Sequence, residues 1–307
     1  MGSLAGIFAA AATPLKPDLS IDTARLARHC RWLLEEGGCD GVNLLGTTGE
    51  ATSFSVEQRL DAMRAVAEAG LPMERFMVGT GASALADSVR LTSGARELGF
   101  AGALLLPPFY YKNIDDESLY AYAGRVVEQA GGGRMGLYLY HIPQIAIVGY
   151  PHAVIERLAA HFPGAIAGVK DSSGDFEHSL ELARRFPSLA IFPGSEGFLA
   201  RAPEAGFAGC ISATTNVNGA FVSRGWGARE TDAGRASLNA AGAIRDAISK
   251  YPLVPAVKWV LSEMQGDPEW RRTHPPLRGL TEAEWSALRA ALGQTELFAA
   301  ERKAASA

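Results

Sequence analysis

The sequence predicts a (β/α)8 barrel of the TIM type followed by a C-terminal extension of three helices. Three observations predict it. Apolar segments of β-like composition recur eight times, at residues 7–13, 41–45, 76–79, 102–106, 136–140, 166–169, 190–192 and 210–212. The gaps between them carry helical patterns or turns, and strands that alternate with helices along one chain belong to a parallel sheet. Beyond the eighth segment the chain becomes helix-rich, punctuated by Pro252, Pro255, Pro268 and Pro275-Pro276. A length of 307 residues suits one barrel with appended helices. The expected division is 1–225 for the barrel and 226–307 for the helical extension.

Each connecting element has its own signal. Residues 21–36 place Leu26, Cys30 and Leu33 on one helical face, with Asp22 as N-cap and Gly37-Gly38 as the stop. Ser55 with Gln58 forms a capping-box pattern opening a helix that carries Leu60, Met63 and Val66. Helical patterns follow at 87–98, 116–130, 151–161, 175–186 and 197–205. In the extension, residues 228–250, 255–265 and 281–302 read as helices, the last opened by Thr281 with Glu284.

Composition excludes several classes. Hydrophobic residues make up 48%, charged residues 20%, and the net charge is −4, with no basic block for nucleic acid. The apolar run at 4–12 is far shorter than the ~20 residues of a membrane span, and it lacks the positive flank of a signal peptide. Met1-Gly2 resembles a myristoylation start, but Gly6 stands where Ser or Thr is required. Cys30, Cys39 and Cys210 have no metal-ligand spacing and read as reduced thiols of a cytoplasmic protein.

The chemistry centres on Lys170. It closes the apolar run Ala165-Ile166-Ala167-Gly168-Val169 and precedes the polar turn Asp171-Ser172-Ser173-Gly174-Asp175. Such a run reads as a strand buried on both faces. Burial penalises an ammonium and favours the free amine, which attacks carbonyls to form a Schiff base. The alternative is a lysine just past the strand, reaching solvent or paired with Asp171. Lys16, Lys112, Lys250, Lys258 and Lys303 lie in settings where a solvated charge is expected.

In a barrel of this kind, reactive groups collect on the loops after the strands. Gly46-Thr47-Thr48-Gly49-Glu50 follows the second strand. It reads either as a plain turn or as an anion cradle in which close backbone and two hydroxyls hold a carboxylate. Tyr140 ends the fifth strand as either a core tyrosine or a proton shuttle facing the amine. His141 points to the opposite face by alternation. His29, His152, His161, His178 and His274 show no metal-binding spacing and no cluster, which disfavours a zinc-dependent aldolase.

Five motifs stand in order: Gly46-Thr47-Thr48-Gly49-Glu50, Pro107-Pro108-Phe109-Tyr110-Tyr111, Tyr140-His141-Ile142-Pro143, Gly168-Val169-Lys170-Asp171-Ser172-Ser173-Gly174-Asp175 and Gly209-Cys210-Ile211-Ser212. Over residues 5–300 the chain resembles the dihydrodipicolinate synthase/N-acetylneuraminate lyase family of pyruvate-dependent class I aldolases. The resemblance implies that Lys170 forms a Schiff base with pyruvate, that Thr47 and Thr48 hold its carboxylate, and that Tyr140 relays protons. It implies too that Tyr111 completes a relay with Thr47 from a neighbouring subunit of a homotetramer built as a dimer of dimers. No metal or organic cofactor is needed for that chemistry.

The chain departs from the family pattern in two places. Synthases carry an arginine after Tyr-x-x-Pro to grip the carboxylate of aspartate semialdehyde, and Ile145 stands there. In Gly194-Ser195-Glu196-Gly197, where sialic acid lyases contact sugar hydroxyls, Gly197 replaces an acidic residue. Ser195 and Glu196 remain candidates to bind an acceptor aldehyde, with Gly46, Gly194, Ile211 and Tyr110 lining the pocket. The expected substrates are pyruvate plus an aldehyde, or the corresponding 2-keto-3-deoxy sugar acid or hydroxy-oxo acid. A dehydratase using the same imine and a non-catalytic keto-acid sensor are the alternatives.

Overall fold

The computed structural model describes residues 4–130, 135–202 and 204–298. Eight strands run parallel: β1 (Gly6–Ala10), β2 (Gly41–Leu44), β3 (Phe76–Gly79), β4 (Gly102–Leu105), β5 (Gly136–His141), β6 (Ile166–Asp171), β7 (Ala190–Pro193) and β8 (Gly209–Ser212). The ladder follows the order β7-β6-β5-β4-β3-β2-β1-β8. At the seam, Ala208 N donates to Ile191 O at 2.9 Å, bringing the ends of the sheet together into a nearly closed barrel.

The helices that follow the strands are α1 (Thr23–Glu35), α2 (Val56–Glu68), α3 (Leu85–Glu97) and α4 (Asp116–Ala130), then the single turn α5 (Pro143–Ala146). They continue with α6 (His152–His161), α7 (Phe176–Arg185), α8 (Gly197–Arg201) and α9 (Thr215–Gly227). Asp22 caps α1, and both capping boxes, Ser55 with Gln58 and Thr281 with Glu284, are formed. The C-terminal helices are α10 (Asp232–Ile248), α11 (Leu253–Gln265) and α12 (Glu282–Leu292). The end of the predicted last helix, from 299, lies outside the described residues. The sequence reading left α9 unassigned, because Thr215, Asn216 and Asn218 are buried where apolar periodicity would normally mark the inner face.

Strand alternation sorts the core into layers. Phe8, Ala10, Met77, Leu104, Tyr138, Tyr140, Phe192 and Ile211 fill the barrel interior. The intervening residues, such as Leu137, Leu139, Val169 and Ile191, face outward against the helices. Gly168 is needed for this packing, since a Cβ there would stand 2.2 Å from Ala190 O and 2.7 Å from the Tyr138 ring. The extension has its own apolar cluster around Trp259, Trp270, Trp285 and Leu288, which includes Ala12 and Ala213 from the barrel. That seats α10 and α11 over the end of the barrel where strands finish.

Candidate active site

Strands β5 and β6 pair with Tyr140 opposite Lys170. Both side chains therefore point inward at the same level. Lys170 is 3% exposed, and its Nζ lies 4.3 Å from the centroid of the Tyr140 ring. The Tyr140 hydroxyl is 3.3 Å from Thr47 Oγ1. Burial alone would raise the Tyr140 phenol, but Lys170 beside it and the polar groups of Thr47 and Ser172 outweigh burial and hold it below its usual value. The phenol beside the amine is thus more acidic than an ordinary tyrosine.

Lys170 is in the strand, not beyond it. The alternative pairing with Asp171 does not occur, because the next residue along the pleat faces the other way. Asp171 accepts from Ser179 Oγ at 2.5 Å, from His178 Nδ1 at 3.0 Å and from Ser173 N at 3.0 Å. Burial would raise this carboxyl, but the His178, Ser179 and Ser173 donors bring it below its usual value.

The turn carrying Thr47 and Thr48 is tightly built. Leu45 (φ 49°) and Glu50 (φ 56°) both lie in the left-handed region, where a non-glycine residue costs roughly 1–3 kcal/mol. Gly79 permits the close approach of this turn, since a Cβ there would stand 2.2 Å from Leu45 O. Thr13 Oγ1 donates to Gly49 O at 2.8 Å, and Glu50 accepts from Lys258 Nζ and from His274 N at 2.6 Å. Lys258 corrects the sequence reading of a solvated charge: it is wholly buried. Its helix α11 is apolar nearly all round, from Leu253 to Leu261, and a lysine within such a helix must find a partner. Sequence reasoning could have found it by that signal.

These groups open on a cavity of about 580 Å³. Thr47, Thr48, Tyr140, Lys170, Gly194, Ser195 and Ile211 line it, so seven of the expected residues converge. Gly46 lines an adjoining cavity of about 150 Å³ that shares Thr47 and Tyr140 with the first. The far wall comes from the extension: Arg245, Pro252, Leu253, Val254, Pro276 and Leu277. Sequence reasoning missed all of these, because their place at the mouth depends on how the extension folds back.

Three expectations are corrected. Glu196 does not line the cavity and is fully buried, its oxygens accepting from Ser212, Thr214, Asn218 and Arg245. Burial would raise its carboxyl, but Arg245 and those donors hold it below the usual value. Tyr110 is 72% exposed, stacked edge-to-face on Tyr111, and lines neither cavity of this chain, whereas Phe109 turns inward to the smaller one. Tyr111, expected to act in a neighbouring subunit, is itself 70% exposed. Finally, the histidines do cluster. His141, His178 and His152 stack in succession with centroids 4.8 and 5.4 Å apart, and His141, Asp171 and His178 bring ligand-type atoms within 4.8 Å of one another. This group lies on the outward side of β5 and β6, where residues distant in sequence meet.

No helix among the described residues is long and apolar enough to cross a membrane. The model of the dihydrodipicolinate synthetase family matches residues 3–295. An uncharacterised DapA-like lyase of Chloroflexus aurantiacus is 36% identical over 93% of this chain and 95% of its own. A 4-hydroxy-tetrahydrodipicolinate synthase of Desulforamulus reducens is 29% identical over 69% of this chain and 70% of its own. Among solved structures, a dihydrodipicolinate synthase from Agrobacterium tumefaciens superposes with a TM-score of 0.87 at 30% identity, covering 95% of this chain and 99% of that one. With its barrel, its inward lysine and these relatives taken together, the chain belongs to the dihydrodipicolinate synthetase family and is an enzyme of the carbon–carbon lyase class.

Proposed function

We propose that the chain is a class I aldolase that joins pyruvate to an aldehyde, or splits the resulting hydroxy-oxo acid, through an imine on Lys170. The observation that carries this is the enclosed triangle of Lys170, Tyr140 and Thr47 at the floor of the cavity. The Lys170 amine adds to the C2 carbonyl of pyruvate, whose carboxylate is held by Thr47 and Thr48. Tyr140 passes a proton to the carbinolamine hydroxyl, which leaves as water. The imine withdraws electrons from the neighbouring methyl, a proton departs, and the enamine carbon adds to the aldehyde. Water then releases the product and restores the amine. Cleavage runs the same steps backward.

The acceptor is a small aldehyde and the product a 2-keto-3-deoxy sugar acid or similar hydroxy-oxo acid. Sialic acid is disfavoured by Gly197, which stands where the family's sialic acid lyases carry an acidic residue, while Ile142, Ile145 and Leu253 line the cavity with hydrocarbon beside Ser53, Gln144 and Ser195. A synthase acting on aspartate semialdehyde is the second reading, supported by the relatives bearing that name and opposed by the hydrocarbon of Ile145. The exposed Tyr110–Tyr111 pair fits a homotetramer in which Tyr111 of one subunit approaches Thr47 of the next.

Pyruvate plus borohydride followed by intact-mass measurement tests the reading. An adduct on Lys170 that vanishes in Lys170→Ala supports it. An unchanged mass removes both the aldolase and any imine-using dehydratase, and analysis of products separates those two.

A further inference from the structure

Arg245 is the one cation besides Lys170 on the cavity wall among the described residues. It stands in the last turn of α10 and is held by a single nitrogen. Its Nη1 donates to Ser212 Oγ at 2.9 Å, to Thr214 Oγ1 at 3.2 Å and to Glu196 Oε2 at 3.2 Å. Glu196 in turn is saturated from beneath: Oε2 accepts from Ser212 Oγ at 2.6 Å, and Oε1 accepts from Asn218 Nδ2 at 2.7 Å and from Thr214. The arginine is therefore oriented without being used up. Its Nε and Nη2 have no protein partner among the described residues, and its side chain keeps 19% exposure where it meets the cavity.

We infer that Arg245 binds a carboxylate at the end of the substrate remote from Lys170, so that the preferred substrate is a 2-oxo acid with a second carboxylate. This rests on the aldolase reading for the near end of the site and adds the far end to it. The Nε–Nη2 edge of a guanidinium offers two parallel N–H groups spaced for the two oxygens of a carboxylate. Phe198, Ile211, Leu253 and Val254 line the same cavity, and hydrocarbon that lowers the local polarity strengthens a charged contact. Other charges nearby are already paired: Glu50 with Lys258, and Asp171 outward with His178. In the aldol direction the acceptor is an aldehyde bearing a carboxylate, and the product is a 4-hydroxy-2-oxo diacid. Aspartate semialdehyde is a weaker fit, because its ammonium would face the same guanidinium.

Calorimetric titration of the full-length protein with 2-oxoglutarate and with 2-oxopentanoate, equal in length but lacking the second carboxylate, tests this directly. The pair 2-oxoadipate and 2-oxohexanoate covers one further carbon. The unaltered protein should bind at least one diacid roughly 10- to 100-fold more tightly than its partner, the range of a charge-assisted hydrogen bond. Arg245→Met should remove that preference, and Arg245→Lys should leave part of it. Because Arg245→Met strands the Glu196 charge, the pair Arg245→Met with Glu196→Gln is measured beside it. Equal binding of diacid and monoacid in both pairs, or an equal loss of both in every variant, overturns the inference. Borohydride trapping of pyruvate, which has no distal charge, is read separately: its failure in the unaltered protein would strike the imine reading while the diacid preference still stands or falls on the titrations.

Discussion

The Lys258 ammonium and the Glu50 carboxylate meet with no exposure of either side chain to water. Burial pushes the Lys258 amine down and Glu50 pulls it back, so neither charge is tolerable without the other. The pair ties helix α11 to the left-handed residue that ends the Thr47–Thr48 turn.

Lys258→Met should cost about 3–5 kcal/mol, the usual penalty for stranding a buried partner. Adding Glu50→Gln should recover most of it, since Gln still offers an oxygen to His274 N. Urea unfolding of the two variants checks this. A single variant as stable as the parent would show that the pair does not hold the turn.

Tyr140→Phe should lower turnover by about 10²–10⁴-fold while leaving an imine that borohydride can still trap. Thr47→Val should shift the alkaline limb of the pH profile upward, because Thr47 is one of the groups holding the phenol below its normal value. Exchange of the pyruvate methyl protons into deuterated water, followed against pH, reads both effects.

Acid stability should depend on His29. Burial lowers this imidazole to about 4 from an ordinary 6.5, with the bond to Asn216 Oδ1 at 2.9 Å opposing. The unfolded chain takes up the proton first as pH falls. Stability from the neutral ring is thus complete above pH 6.5 and is lost toward pH 4, by up to about 3 kcal/mol. His29→Gln, which keeps a donor for Asn216, should flatten the fall in unfolding free energy between pH 6.5 and 4.5. An unchanged slope would mean the ring is not protonated on unfolding.

With aspartate semialdehyde and pyruvate, kcat/KM should fall below the ~10⁴ M⁻¹s⁻¹ of ordinary enzymes. Ile145→Arg should raise it by restoring a carboxylate partner at the near wall. Coupled measurement of dihydrodipicolinate formation decides the matter, and a value above that floor for the parent would return the synthase reading to first place.

The barrel was legible because each strand is short, apolar and bounded by turn residues. The third strand falls at residues 76–79 as expected, and the sixth extends two residues further because Lys170 and Asp171 disguise its end. The meeting of Lys170, Tyr140 and Thr47 was equally legible, since they sit at or just after strand ends whose direction the fold dictates. Glu196, Lys258 and Arg245 were not. Each owes its role to a partner 16 to 208 residues away, and a charge reads as solvated until that partner is known. The histidine stack was hidden for the same reason, its members coming from β5, α6 and α7.

The cavity has walls of two origins, with strand ends supplying the floor and the helical extension supplying Arg245 and Leu253 above it. Floor and far wall thus come from separate stretches of the chain. Substituting Arg245, Leu253 and Leu277 in laboratory evolution, with Lys258 and His274 kept to hold Glu50, should change which aldehydes are accepted without disturbing the floor around Lys170, a division of labour that lets one catalyst be retooled from a few positions of its extension.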